Sequence, residues 1–472
     1  MLFVSHNFLE IFLPATLLLF FGQFFWSRAG VYVLLLASFV FCASNGVWQT
    51  ALLGVSILFN FLVGGGIGAA FERPRSIRRL ILLFGVVGNL GVLGYFKYAG
   101  FIISNINEIF NINLSDPKVT LPIGISFYTF TQIAYLADSY KGKAPTRPSL
   151  PIYALFVTYF PHVIAGPIIH WREMIPQFEA ITAHFGKRTL TDEYREKMCR
   201  GFTLFGIGLA KKLLIADPLA PFVASGYGAG AHIGFTDAWL TSLAYTFQLY
   251  FDFSGYTDIA IGVSLLFGVE LPFNFNSPYK SQSIQEFWRR WHMTLSRWLR
   301  DYVFIPLGGS HGSTVATLRN LFVTFVLGGL WHGASWTFVI WGALHGIAIS
   351  VHRLSSGAGL RLPGFLATAL TFLFVNAAWV FFRAPDAASA VSLLKAMVSP
   401  GAGWTPQLAH PPYGLLILAA FVTWGFPASQ TIALETRIAT RPIGAVLTGA
   451  MLAVSILALN TATPSPFLYF NF

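Results

Sequence analysis

The sequence predicts an all-α polytopic membrane protein, and three observations lead to that fold class. Of its 472 residues, 55% are hydrophobic and only 10% are charged, whereas soluble proteins carry about 25% charged residues. The mean hydropathy is +0.63. The apolar runs are long and continuous, unlike the short alternating segments of an outer-membrane barrel. One integral membrane domain is therefore expected over residues 1–472.

Apolar segments that are long enough, or nearly so, to cross a bilayer occur along the whole chain. They lie near residues 8–26, 31–46, 50–70, 80–103, 119–139, 151–169, 201–223, 236–252, 255–270, 320–352, 364–382, 413–427 and 443–461. We expect some of them to be re-entrant or broken rather than spanning.

Basic loops set the expected orientation, because cytoplasmic loops of membrane proteins are rich in Lys and Arg. The net charge of +11 is concentrated in short loops, which fits this rule better than a nucleic-acid partner. The nearly uncharged loop at 104–118 is expected outside, and counting the crossings places both termini, including Phe472, on the periplasmic side. The expected cytoplasmic stretches are residues 72–79, 141–143, 187–200, 280–300 and 437–441.

The apolar segment near 151–169 lies between two stretches that both look cytoplasmic. Its centre, residues 159–167, contains two prolines and a glycine, which would break a helix. Non-helical backbone is tolerated at membrane depth only where it is buried in protein or lines a cavity. A re-entrant loop is therefore predicted here.

A histidine lies inside an uncharged run. Residues 320–352 contain no Asp, Glu, Lys or Arg, yet His332 occurs within the motif at 330–336. Burying an ionisable group in a membrane costs several kcal/mol, so its presence indicates a function, and histidine is suited to proton transfer near neutral pH. A histidine that only hydrogen-bonds a neighbouring helix is the alternative.

Residues 287–300 combine arginines and tryptophans at helical spacing. On a helical wheel the arginines occupy about a quarter turn and the apolar side chains lie opposite, with His292 on the border. This pattern predicts one amphipathic helix at the membrane surface. Arginine forks bind phosphates well, so this face could hold a phosphorylated donor; anchoring in lipid headgroups is the alternative. The arginines are Arg289, Arg290, Arg297 and Arg300.

Two acidic residues, Asp252 and Asp258, occur in an apolar region. They indicate either a polar cavity or helix caps, given the Ser, Gly and Thr between them. The two cysteines, Cys42 and Cys199, have no metal-ligand spacing, and no metal site is predicted.

Several motifs, in their order and spacing, resemble the membrane-bound O-acyltransferase family, in particular its bacterial alginate O-acetyltransferase type. The matching positions fall within residues 120–346, about half of the chain. They are residues 121–128, 162–167, 250–258, 271–279, 287–296 and 330–336.

The resemblance implies a ring of about 11 transmembrane helices, with re-entrant and amphipathic helices, around a catalytic tunnel. It implies that His332 is the catalytic histidine and that His292 is the second histidine of the same tunnel. Acetyl would come from cytoplasmic acetyl-CoA, as a substrate and not as a permanently bound cofactor. It would cross a bacterial inner membrane to an exopolysaccharide such as alginate, cellulose or peptidoglycan. A separate periplasmic acetyltransferase of SGNH type would finish the transfer, and membrane lipids would surround the protein.

Acyl transfer from a thioester to a hydroxyl needs a base and stabilisation of the tetrahedral oxyanion. His332 is the expected base, and His292, Asn320 or a backbone N–H could orient the acyl carbonyl. The four arginines are candidate donor-binding residues, together with Asp252, Asp258 and Asn320.

Two other functions stay open. D-alanyl transfer to teichoic acid from a carrier protein would use the same motifs. A transporter could use His332 as a proton relay. Ser335 lies one turn from His332 and could act as a nucleophile, but a helix-packing serine is the favoured interpretation.

Overall fold

The computed structural model of the protein describes most of the chain. The described residues are 1–22, 29–144, 149–184, 191–228, 233–359, 362–400, 408–436, 438–461 and 465–468. Their regular structure is helical throughout, as the composition predicts. Phe472 and parts of the basic stretches at 187–200 and 437–441 lie outside the described residues.

The first compact unit comprises Met1–Phe205 and Ile259–Pro272. Its helices are α1 (Asn7–Gly22), α2 (Gly30–Ala43), α3 (Val47–Ala69), α4 (Arg75–Phe110), α5 (Ile125–Tyr140), α6 (Leu150–Thr158) and α7 (Trp171–His184). Helix α8 (Asp192–Ala210) begins in this unit.

The second compact unit comprises Gly206–Asp258 and Phe273–Phe472. Its helices are α9 (Asp217–Gly228), most of α10 (Phe235–Leu266), α11 (Ile284–Arg290), α12 (Met293–Leu299), α13 (Thr314–His332), α14 (Trp336–Gly357), α15 (Gly364–Arg383), α16 (Ala387–Val398), α17 (Tyr413–Gly425) and α18 (Pro442–Thr461). A π-helical turn, Lys211–Ala216, joins α8 to α9. The prediction of a single domain over the whole chain stays a prediction.

Six helices in the described part of the chain are long and apolar enough to cross a membrane, namely α3, α4, α13, α14, α15 and α18. The shorter apolar helices are α1, α2, α16 and α17. A polytopic helical membrane fold is therefore confirmed.

The segment at 159–167 is buried and lacks regular helix, as the prolines and glycine predict. Polar contacts satisfy it internally: the His162 Nε2 lies 3.0 Å from the Phe156 carbonyl oxygen, and the Phe160 N–H donates to Ser38 Oγ at 3.1 Å. Burial within protein is the condition under which such backbone is tolerated in a membrane.

Two predicted boundaries were wrong. The segments at 236–252 and 255–270 form one continuous helix, α10, and the run at 320–352 forms two helices, α13 and α14. Gly255 does not interrupt α10, because it serves close packing: an added Cβ there would lie 2.8 Å from the Gly208 carbonyl oxygen. Asp252 and Asp258 consequently lie inside a helix and cap no helix end.

Candidate active site

Helices α13 and α14 form a tightly packed hairpin, and its packing rests on glycine. A Cβ added at Gly329 would lie 2.2 Å from the Phe338 carbonyl oxygen, and one at Gly342 would lie 2.4 Å from the Phe325 carbonyl oxygen. Small residues allow helix backbones to approach this closely in membranes. The tight contact fixes the connection between the helices, where His332 lies.

We expect Gly342→Ala to destabilise the protein strongly, because the new methyl group would collide with backbone on α13. The matched control is Gly449→Ala in the interior of α18, where nothing lies within 4 Å of an added Cβ. In an unobstructed helix interior this substitution should stabilise by about 0.5–1 kcal/mol. Thermal unfolding in detergent should therefore shift in opposite directions for the two variants, and equal shifts would contradict the packing role.

His332 is the last residue of α13, and Gly333 ends the helix in an extended conformation. Ser335 then begins α14, its side chain accepting a hydrogen bond from the Thr337 N–H. This cap explains Ser335 without a nucleophilic role. The break in the run at 320–352 thus presents His332 at the tip of the hairpin rather than on the side of a continuous helix.

Aromatic rings enclose the His332 side chain, which is only 3% exposed. The ring centroids of Trp331, Trp341 and Phe382 lie 5.0, 5.1 and 5.0 Å from that of His332, all edge-on. Rings packed at this distance restrict the orientation of the imidazole and exclude water around it. Such an environment suits a group that must meet one reacting atom in one geometry.

His292 adopts a left-handed backbone conformation, with φ of 41°, between helices α11 and α12. A non-glycine residue held in this region costs about 1–2 kcal/mol, and such strain concentrates at functional sites. Asn274 maintains the turn: its carbonyl accepts from the Met293 N–H at 3.0 Å, and its Oδ1 accepts from the Thr294 hydroxyl at 2.6 Å. The predicted single amphipathic helix is therefore wrong, since the turn at His292 divides it.

The two histidine rings lie close together, with their centroids 6.5 Å apart. Two hydrogen bonds of about 2.8 Å each through one shared oxygen atom would span rings at this separation. His292 lies outside the six apolar spans, and burial lowers its pKa to about 3. His292 is thus neutral near pH 7 and can donate or accept a hydrogen bond without bringing a charge.

The four predicted arginines do not form one uninterrupted cationic face. Arg290 is paired with Glu286 at 2.8 Å and also donates to the Asn276 carbonyl. Arg300 pairs with Asp301 at 2.7 Å. Arg289 is exposed beside the His292 turn and Arg297 is half-buried on the next helix. The opposite, tryptophan-bearing side is buried within the protein, with Trp288, Trp291 and Trp298 at most 7% exposed.

The chain is similar to known proteins. Residues 139–381 match the family model described as MBOAT, the membrane-bound O-acyltransferase family. The protein belongs to this family. A peptidoglycan O-acetyltransferase of Helicobacter pylori is 42% identical over 77% of this chain and 73% of its own length. A probable alginate O-acetylase AlgI of Azotobacter vinelandii is 42% identical over 100% of both chains. A teichoic acid D-alanyltransferase of Bacillus subtilis is 28% identical over 59% of this chain and 76% of its own length.

Asn320 cannot act beside the histidine pair of this membrane-bound acyltransferase. It lies twelve residues before His332 on the same helix, which corresponds to about 18 Å at 1.5 Å per residue. Its amide instead donates to the Gly309 carbonyl at 3.0 Å. The prediction that Asn320 could orient the acyl carbonyl is wrong, and its side chain holds the loop that precedes α13.

The two predicted carboxylates of the acyltransferase are buried in ion pairs. Asp258 binds Lys211 at 2.7 Å, and Asp252 binds Lys212 at 2.7 Å. Pairing of these buried carboxylates with lysines favours a structural role over contact with a donor. Among the described residues, no three His, Cys, Asp or Glu side chains form a group that could hold a metal ion.

Sequence reasoning missed the residues that support the two histidines. Asn274 lies twenty residues before Thr294, and no local pattern in the sequence links the two. Trp341 lies nine residues after His332 and on the next helix, and its ring lies against that histidine. His345, on the same helix as Trp341, receives a hydrogen bond from the Trp288 indole N–H at 3.2 Å.

Proposed function

We propose that the protein is an O-acetyltransferase that takes acetyl from cytoplasmic acetyl-CoA and passes it across the inner membrane for O-acetylation of an extracytoplasmic polysaccharide. The observation that carries the proposal is the enclosed His292–His332 pair, in a chain 42% identical over its full length to a probable alginate O-acetylase. An alginate-type polymer is the favoured acceptor.

The pair supplies the groups that acyl transfer requires. His332 takes the proton of the attacking hydroxyl, and the oxygen of that hydroxyl forms a bond to the acetyl carbonyl carbon. The carbon–sulfur bond of the thioester then breaks, and the proton held on His332 goes to the departing thiolate. Neutral His292 donates a hydrogen bond to the carbonyl oxygen while negative charge develops there.

The donor enters, in this proposal, from the surface that carries the arginines. Arg289 and Arg290 lie three and two residues before His292, so phosphates bound there would be close to the reacting groups. Residues 280–300 are then cytoplasmic, and both termini are periplasmic. A separate periplasmic acetyltransferase of SGNH type would receive the acetyl group and place it on the polymer.

Replacing Arg289 and Arg297 together with Gln is expected to raise the Michaelis constant for acetyl-CoA about tenfold and to change turnover less, because charge-assisted phosphate contacts are removed. Added salt should weaken the wild-type donor interaction in the same direction. The control is Arg300→Gln, since Arg300 already pairs with Asp301. Loss of membrane integration without a change in the Michaelis constant would support lipid anchoring instead.

A donor assay tests the proposed reaction. Detergent-purified protein is given acetyl-CoA, or a D-alanyl thioester of a carrier protein, and thiol release is followed with an acceptor present. We expect acetyl-CoA to be consumed and the D-alanyl thioester to be left intact. The reverse result would favour the D-alanyl transfer named for the Bacillus subtilis relative, and consumption of neither would favour a transporter.

A further inference from the structure

A buried charged cluster lies in the second unit, apart from the two histidines. The Lys212 ammonium group is 2.6 Å from an Asp217 carboxylate oxygen and 2.7 Å from an Asp252 carboxylate oxygen. Lys212 is 3% exposed and Asp252 is 1% exposed. Buried charges are costly to desolvate, and a buried ion pair is weak evidence for a gain in stability. Because stability alone does not explain the cluster, its role is inferred from the residues that it contacts.

The cluster holds one short piece of chain, the anchored segment Ser465–Leu468. Lys212 Nζ donates to the Ser465 carbonyl at 3.0 Å and to its hydroxyl at 3.2 Å. The Ser465 hydroxyl in turn donates to Asp217. The Leu468 N–H donates to Asp252 at 2.9 Å. All three charged residues thus contact the anchored segment. Lys212 and Asp217 hold its Ser465 end, and Asp252 holds its Leu468 end.

The anchored segment places one aromatic ring toward the candidate active site. The Phe467 ring, 3% exposed, stacks on Tyr256 at 4.3 Å between centroids and lies 5.9 Å from Phe253. The Phe253 ring meets His292 edge-on at 4.8 Å. A continuous path of contacts therefore runs from Lys212 through the anchored segment and Phe253 to the imidazole of His292.

The adjacent lysine offers an internal comparison. Lys211 is half-buried and forms an ion pair with Asp258 at 2.7 Å, and it donates a hydrogen bond to the Ser429 hydroxyl at 2.6 Å. Asp258 lies on α10, and neither Asp258 nor Ser429 belongs to the anchored segment. The two neighbouring lysines thus both pair with a buried carboxylate of α10 but differ in the part of the chain that they hold.

We propose that Lys212, with Asp217 and Asp252, is a positioning residue of the acyl-transfer site: it holds the anchored segment so that Phe467 supports Phe253, and Phe253 fixes the ring of His292. The proposal rests on the proposed function only in the role given to His292. The docking of the anchored segment can be measured without any reaction.

The docking test uses Leu468→Cys in a background with Cys42→Ala and Cys199→Ala. Residue 468 is 8% exposed, so a soluble thiol reagent should label it slowly in the folded protein. Lys212→Met should increase the labelling rate at least about tenfold, since the contacts that hold the segment are lost. Lys212→Arg should restore part of the protection, and Lys211→Met should leave the rate unchanged.

The functional test uses Phe467→Ala, which leaves the charged cluster intact and should fold. We expect acetyl turnover to fall between about tenfold and 10²-fold, with the Michaelis constant for acetyl-CoA changed less than twofold. The double variant Lys212→Met, Phe467→Ala should lose no more turnover than the worse single variant, because both act through the same contact.

Three outcomes would overturn the proposal: unchanged labelling in Lys212→Met, wild-type turnover in Phe467→Ala, or losses that add in the double variant. Should Lys212→Met fail to fold, Asp252→Asn replaces it in the same comparison. If the labelling responds as expected while the wild-type protein consumes no acetyl-CoA, the proposed reaction fails and the anchoring stands.

Discussion

Replacing His332 with Gln is expected to reduce acetyl transfer about 10²- to 10⁴-fold, the usual contribution of a general base. Glutamine is similar in size and can form hydrogen bonds, but its amide does not accept a proton at neutral pH. Because His332 ends a helix and is enclosed by aromatic rings, the variant should keep its fold. Transfer is measured with purified protein, alongside its thermal unfolding.

The matched control is His345→Gln. His345 is fully buried on the same hairpin but is held by the Trp288 indole rather than facing His292. It should lose stability without a comparable loss of transfer per folded molecule. Retention of more than a tenth of wild-type transfer in His332→Gln would exclude an essential base.

His292→Asn is expected to lower transfer about 10²-fold or more, the usual effect of losing one donor to a developing oxyanion. Asparagine tolerates the left-handed conformation that His292 adopts, so the turn should persist. The control is Ser277→Gly, a left-handed position in the same part of the chain, which should retain transfer. If His292→Asn kept more than a third of the activity, His292 would have only a structural role.

The pH dependence separates the two histidines. Burial lowers the pKa of His292 to about 3, so its neutral form is present throughout the range from pH 5 to 9. If the transfer rate falls on acidification within that range, the residual activity of His292→Asn should show the same fall. Below the ordinary histidine pKa, the unfolded chain binds a proton that folded His292 does not, so acidification destabilises the protein through this residue.

The membrane fold and the central histidine could be predicted from the sequence because each depends on a strong local signal. Long uncharged runs leave few alternatives to membrane helices, and a histidine such as His332 is rare within one. The buried, broken segment at 159–167 was predictable for the same reason, since prolines act locally.

The geometry around His292 was not predictable, because it depends on contacts distant in sequence. A helical wheel assumes regular dihedral angles, but Asn274, eighteen residues earlier, holds His292 in a left-handed turn. In α10, Gly255 looked like a helix break yet permits close contact with Gly208. Asp252 and Asp258 form ion pairs with Lys212 and Lys211, and no local sequence pattern reveals these partners.

The central claim is that acetyl passes from an internal donor to an external polymer through His332. Right-side-out membrane vesicles that contain the protein, loaded with radiolabelled acetyl-CoA, test it directly when the polysaccharide and the proposed partner acetyltransferase are added outside. We expect label on the external polymer, dependent on the protein and lost in His332→Gln. Equal labelling by His332→Gln, or labelling only when acetyl-CoA is supplied outside, would contradict the account.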